Sequence, residues 1–189
     1  MQLDWKQRLR EVLGQGPVQA MPNAVSRAAV AMVIGPHGML RMMVRAEREG
    51  DPWSGHVGFP GGREELDDRD LLATACRETR EEVGWVLSEA DCLGPLDPVR
   101  SPVGGRSDVV VRPFVFWVDR PLQERLNHEV AEVFSVSLAT LMEGVGRGDF
   151  TLRWSEHEAT LPCVRIGGRR LWGMSLRMVD DLLERLRGH

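Results

Sequence analysis

The chain has 189 residues, 42% hydrophobic and 28% charged, an ordinary globular composition that excludes disordered, fibrous and membrane-spanning classes. Its 28 acidic and 24 basic residues give a formal net charge of −4, which excludes the broad cationic field behind nonspecific binding to nucleic acid or anionic membranes. Cys76, Cys92 and Cys163 make an odd count without CxxC spacing, so neither a disulfide framework nor a zinc knuckle is expected, and a reducing, cytoplasmic setting is.

The length suits one domain over residues 1–189 with a single core. The first residues alternate charged and apolar types instead of placing a basic end before an apolar run, so no secretory signal is expected. No window approaches the roughly 18 consecutive apolar residues of a membrane span.

In chain order, Trp5, Leu9, Val12 and Leu13 fall at helical spacing before Gly14 and Gly16-Pro17, which predicts a helix over 3–13. The apolar run Ala28 to Ile34, then Gly35-Pro36-His37-Gly38, then Met39 to Arg45 predict two strands joined by a tight turn. Residues 46–62 are rich in Gly, Pro and charge and show no period, so they form a long loop of the kind that is commonly functional. The clearest helix follows: Asp67 or Asp68 caps it, Leu72, Ala75, Cys76, Thr79 and Val83 form its apolar stripe, and Gly84 closes it. Leu93 to Val99 and Val109 to Val118 read as strands, separated by a loop with Pro98, Pro102, Gly104 and Gly105. Leu122 to Val133 is weakly helical and Ser137 to Gly144 a short helix. Short strands are expected at Phe150 to Trp154, Leu161 to Ile166 and Arg170 to Trp172, then a helix over 173–187 with Leu176, Val179, Leu183 and Leu186 in phase. Strands mixed with a few helices indicate an α/β or α+β domain.

The informative stretch is Gly61-Gly62 followed, on the helix, by Arg77-Glu78-Thr79-Arg80-Glu81-Glu82-Val83-Gly84. Helical spacing gathers Glu78, Glu81 and Glu82 on one side, opposite the apolar stripe. Like charges together, near the negative end of the helix dipole, do nothing for helix stability. A hard divalent cation explains them, because magnesium takes carboxylate oxygens, waters and substrate phosphates. A solvated acidic face screened by Arg77 and Arg80 is the other reading of the same composition. The Phe-Pro-Gly-Gly turn weighs against it, since glycines let backbone approach closely and aim carbonyls at a metal.

From Gly62 to Trp85 the sequence resembles the Nudix box, the signature of hydrolases that cleave a diphosphate linking a nucleoside to another group. Gly62, Arg77, Glu78, Glu81, Glu82, Gly84 and Trp85 stand at matching positions. Asp68 stands where the pattern has its first Glu, eight residues instead of seven separate it from Arg77, and Thr79 takes a hydrophobic position. The order MMVRAERE, GHVGFPGG, the longer box, SPVG at 101–104 and WGMSLRMVDDLL is similar to the coenzyme A pyrophosphatase branch. In place of the branch's usual basic residue, His and Gly-Glu or Gly-Gln, this chain has Trp53-Ser54-Gly55-His56-Val57-Gly58.

The resemblance implies an α/β/α sandwich with a mixed sheet and hydrolysis of coenzyme A or its derivatives with Mg2+ or Mn2+. Glu78, Glu82, Glu81 and the Gly62 carbonyl would be the metal ligands. Glu81, Glu129 or Glu132 would be the base, and Arg77 would orient a glutamate. Arg45 either contacts the diphosphate or is a surface strand-end arginine, and Phe59, with Trp53, either stacks on a base or packs under the loop. Gly61 completes the expected substrate-binding set, while His56 is expected to be a structural hydrogen bonder and Cys76 a small buried residue. The partner implied is a small-molecule nucleotide, not nucleic acid or membrane, and a homodimer is left open. ADP-ribose or another nucleoside diphosphate derivative is the alternative substrate. A noncatalytic nucleotide sensor is a third reading, which retention of all three carboxylates disfavours.

Overall fold

The computed structural model describes residues 4–14, 18–24, 26–48, 54–101, 108–154 and 157–188. In chain order, α1 (Trp5–Gly14) precedes β1 (Ser26–Gly35), a 3-10 turn at Pro36–Gly38 and β2 (Met39–Arg45). The short strands β3 (Val57–Gly58) and β4 (Gly61–Arg63) lead into α2 (Leu71–Val83). A second 3-10 turn at Glu89–Asp91 leads to β5 (Cys92–Pro95), β6 (Val99–Arg100), β7 (Val109–Trp117) and β8 (Val130–Ser137). Then come α3 (Leu138–Met142), β9 (Arg147–Trp154), β10 (His157–Ile166), β11 (Arg169–Trp172) and α4 (Gly173–Arg187).

The main sheet runs β3-β2-β1-β7-β5, with β4 paired to β1, β6 to β7 and β8 to β2. β1 and β7 are parallel from Ser26↔Val109 to Ile34↔Trp117, and the other pairs are antiparallel, so the sheet is mixed. A second antiparallel sheet has the order β11-β10-β9.

The unbroken apolar run of β1 follows from its central place, because a strand covered on both faces has no solvent side to make polar. Ala28, Met32 and Ile34 enter one hydrophobic cluster with Leu9 and Val12 of α1 and Leu176, Val179 and Leu183 of α4. Ala29, Ala31 and Val33 enter the other, with Leu71, Ala75 and Val83 of α2. Helices therefore cover both faces, giving the expected α/β/α sandwich. Each fully buried Leu, Val or Met in these layers contributes roughly 1.5–3 kcal/mol of transfer free energy. The turn between β1 and β2 helps to seat α1: Gly38 sits at φ 70°, and a Cβ there would lie 2.6 Å from the Trp5 indole.

Several elements differ from the sequence expectation. Residues 120–129 are not helical, and 130–137 form β8, because β2 offers a partner from Met39↔Ser137 to Val44↔Glu132. The run expected as one strand from Leu93 is split into β5 and β6, with the Leu96 N–H turned to the Pro113 carbonyl at 2.9 Å. The loop expected over 46–62 carries β3 and β4. Asp70 caps α2, its side chain accepting from Ala73 N–H at 2.8 Å, whereas Asp67 and Asp68 do not cap it. Leu71 and Thr74 join the buried stripe, while Leu72 and Cys76 are half-buried. Trp53 and Pro102 to Gly105 lie outside the described residues.

Candidate active site

The site is built where β4 meets α2. β4 pairs with β1 at Ala29↔Gly62 and Val30↔Gly61, and the Ala31 N–H donates to the Pro60 carbonyl at 2.9 Å. A Cβ on Gly61 would come within 2.2 Å of the Ala29 carbonyl oxygen, so only glycine brings this backbone so close to β1. A Cβ on Gly62 would meet the Glu78 carboxylate at 2.4 Å, which places that carboxylate directly over the glycine.

The three box glutamates do not share one environment. Glu82 is 3% exposed, and its Oε2 accepts from the Gly61 N–H at 2.8 Å. Burial pushes its carboxyl up to about 7 against the Gly61 hydrogen bond, with the charges of Glu78 and Glu129 raising it and that of Arg45 lowering it. Glu78 is half-buried, and burial raises its carboxyl while Arg77 pulls the other way. Glu81 is 56% exposed. The expected acidic face opposite the apolar stripe is thus split, with Glu82 turned inward.

Arg77 links this cluster to Asp68. Its Nε and Nη2 donate to the two Asp68 oxygens at 3.0 and 2.9 Å, its Nη1 to Glu78 at 2.9 Å and to Glu81 at 3.4 Å, and its Nη2 to the Arg63 carbonyl at 3.1 Å. Asp68 also accepts from Thr74 Oγ1 at 2.8 Å and the Glu65 N–H at 2.9 Å. These donors, Arg77 foremost, hold the Asp68 carboxyl well below the usual carboxylate range. The shorter residue at this box position and the longer gap to Arg77 therefore still yield a two-pronged ion pair.

Residues 125–129 close the far end of α2. Gly84 adopts the left-handed conformation (φ 77°) and donates to the Arg80 carbonyl, and the next carbonyls are taken from outside: Arg125 N–H by Val83 and Asn127 N–H by Glu82, both at 2.9 Å. Asn127 Oδ1 accepts from the Glu129 N–H at 2.8 Å, and the Glu129 carbonyl accepts from Ala46 N–H at 2.8 Å. Sequence reasoning missed Asn127, although an Asn two residues before a candidate base is the signal of an Asx turn. Glu132 lies elsewhere, in a two-pronged ion pair with Arg169 at 2.5 and 2.8 Å.

Arg45 ends β2, its N–H donating to the His56 carbonyl at 3.0 Å, and its charge reaches Glu82. Phe59 is 4% exposed and packs in the core cluster with Met42 and Leu176. Of its two expected fates, packing is the one the structure shows, so Phe59 offers no open ring to a nucleotide base.

Glu78 is held by Arg77, Glu82 by Gly61 and Glu81 faces solvent, so among the described residues no three His, Cys, Asp or Glu side chains converge as a metal cluster. The donor chemistry nevertheless suits a hard cation. Glu82 is a nearly buried carboxylate that accepts from the Gly61 N–H and is crowded by the charge of Glu78, and a buried charge of this kind needs compensation. Two carboxylates with oxygen-only donors match magnesium, which keeps waters and phosphate oxygens as its remaining ligands.

The family model described as NUDIX domain matches residues 25–154. The chain belongs to the Nudix family. This Nudix chain is 30% identical over 182 residues to mitochondrial coenzyme A diphosphatase NUDT8 of Homo sapiens, covering 95% of this chain and 77% of that protein. It is 31% identical to the Mus musculus NUDT8 over 192 residues, covering 96% and 87%. Among solved structures, a MutT/nudix family protein from Enterococcus faecalis has a TM-score of 0.61 at 16% identity, covering 99% of this chain and 71% of that one. The NUDIX domain of Shewanella oneidensis NrtR, complexed with ADP ribose, has a TM-score of 0.58 at 17% identity, covering 93% and 97%. These structures share the fold, and the Nudix chain is a hydrolase of pyrophosphate bonds. Among the described residues, no helix is long and apolar enough to cross a membrane.

Proposed function

We propose that the protein hydrolyses the diphosphate of coenzyme A or its derivatives, with Mg2+ or Mn2+, to 4′-phosphopantetheine and adenosine 3′,5′-bisphosphate. The observation that carries this reading is likeness to a coenzyme A diphosphatase over 95% of the chain, because it extends beyond the box into segments that set the substrate. The setting proposed is a reducing one such as the cytoplasm, in which Cys76, Cys92 and Cys163 stay free thiols.

Glu78 and Glu82 would hold the cation, with the Gly62 carbonyl and the exposed Glu81 as further oxygen ligands. A bound magnesium or manganese ion neutralises diphosphate charge and lowers the pKa of water. Arg45, whose charge reaches Glu82, binds diphosphate oxygens, and the guanidinium of Arg77 holds Glu78 and Glu81 in place. Glu129 is the proposed base: water attacks one phosphorus, its proton passes to the Glu129 carboxylate, and the bridging P–O bond breaks to release the second monophosphate. Its charge is felt at Glu82, whereas Glu132 is committed to Arg169.

The test is incubation of the purified protein with magnesium or manganese and a panel of coenzyme A, acetyl-coenzyme A, ADP-ribose and NADH, with products resolved by chromatography. Release of 4′-phosphopantetheine and adenosine 3′,5′-bisphosphate is expected. Cleavage of ADP-ribose alone would move the assignment to that substrate, and cleavage of none would end it.

A further inference from the structure

The second sheet presents an unusual outer face beside the site. By register, Val164 pairs with Leu171, and these two side chains are buried in the core cluster. The alternate residues of β9, β10 and β11 face the other way, where an antiparallel sheet ordinarily carries polar side chains. There the chain places Phe150 opposite Leu161, Arg170 opposite Arg165 and Trp172 opposite Cys163, of which Cys163 is fully buried. Phe150 and Trp172 remain half-buried rather than covered. Their ring centroids are 5.2 Å apart, the Trp172 ring is 4.8 Å from that of His56, and Arg170 Cζ lies 4.3 Å from the Phe150 centroid.

His56 joins this face to the site. Its carbonyl accepts from the Arg45 N–H at 3.0 Å, and it directly precedes β3, which pairs with β2 at Val44↔Val57. Arg169, on the opposite side of the strand, is held by Glu132 and lies over Phe134. Arg170 is instead solvent-exposed. A guanidinium stacked on a ring keeps its in-plane N–H donors directed outward, where a phosphate accepts them.

We propose that this face is the subsite for the nucleoside end of the substrate, with Trp172 and His56 stacking a purine ring and Arg170 binding a phosphate on its ribose. The proposal deepens the coenzyme A reading and rests on it. It makes Trp172 and Arg170 specificity-determining residues outside the box.

The experiment compares the full-length protein with Arg170→Ala, Trp172→Ala and Trp172→Phe in steady-state hydrolysis of coenzyme A and of dephospho-coenzyme A, which lacks the ribose phosphate. Calorimetric binding of adenosine 3′,5′-bisphosphate runs in parallel. Arg170→Ala should lose about tenfold more kcat/KM on coenzyme A than on dephospho-coenzyme A, mostly through KM. Trp172→Ala should raise KM for both by about tenfold, and Trp172→Phe should recover most of that loss because any aromatic face stacks a base. Equal losses on the two substrates in Arg170→Ala, or wild-type KM values in Trp172→Ala, would overturn the proposal. If Trp172→Ala fails to fold, Trp172→Phe and Arg170→Ala still decide it. Should the wild type not cleave coenzyme A, the functional reading fails, and calorimetry judges the face separately: adenosine 3′,5′-bisphosphate binding weakened by Arg170→Ala upholds it, and absence of binding overturns it.

Discussion

Arg77 grips Asp68 with two parallel hydrogen bonds of 3.0 and 2.9 Å, although Asp68 is a residue type shorter than the box pattern specifies and stands one position farther from Arg77. The same guanidinium reaches Glu78 at 2.9 Å, so the loop before α2, the backbone of β4 and the box carboxylates are tied through one side chain.

That link predicts a pH-dependent stability. Asp68 is held lower in the folded chain than in the unfolded one, so the unfolded chain binds more protons at acid pH and stability rises with pH. The contribution is complete above the unfolded value of about 3.9 and is lost as pH falls toward the folded value. Asp68→Asn should therefore cost about 2 kcal/mol near neutral pH and measurably less near about pH 3. Urea unfolding of both proteins at the two pH values checks it, and a constant gap would contradict it.

The two glycines of β4 should fail in different ways. Gly61→Ala drives a Cβ into backbone, 2.2 Å from the Ala29 carbonyl oxygen, and should destabilise the fold by about 2–4 kcal/mol. Gly62→Ala meets the movable end of Glu78, so thermal unfolding should shift little while kcat falls by about a hundredfold as that carboxylate is displaced.

Glu129 and Glu132 separate by the same logic. Glu129→Gln should lower kcat by about 10²-fold at unchanged stability. Glu132→Gln loses a partly exposed ion pair with Arg169, costs less than about 1 kcal/mol and keeps turnover near that of the wild type. Asn127→Ala removes the acceptor for the Glu129 N–H and should lower kcat, with Asn127→Asp restoring it because a carboxylate accepts the same bond. Steady-state kinetics of the four variants alongside urea unfolding distinguish these outcomes.

Much of this was legible in the sequence. The apolar run at Ala28 to Ile34 marked a strand, and Gly62, the glutamates and Gly84 marked the box helix. What could not be seen was tertiary. Leu122, Leu126, Val130 and Val133 repeat at near-helical spacing, yet the N–H groups of Arg125 and Asn127 are claimed by the carbonyls of α2, and β2 claims the strand beyond. Asp67 or Asp68 was expected to cap α2, whereas Asp70 caps it and Asp68 is bound by Arg77 instead. Glu82 lies about 40° around the helix from Glu78 and borders the apolar stripe, so packing against β1 and β4 carries it inward while Glu81 stays in solvent.

The central claim is that Glu78 and Glu82 hold the divalent cation on which diphosphate hydrolysis depends. Turnover of coenzyme A by Glu82→Gln at saturating magnesium tests it most directly. Its kcat should be lower by about a hundredfold or more in a protein with the circular dichroism of the wild type. A Glu82→Gln enzyme that turns over at the wild-type rate would contradict it.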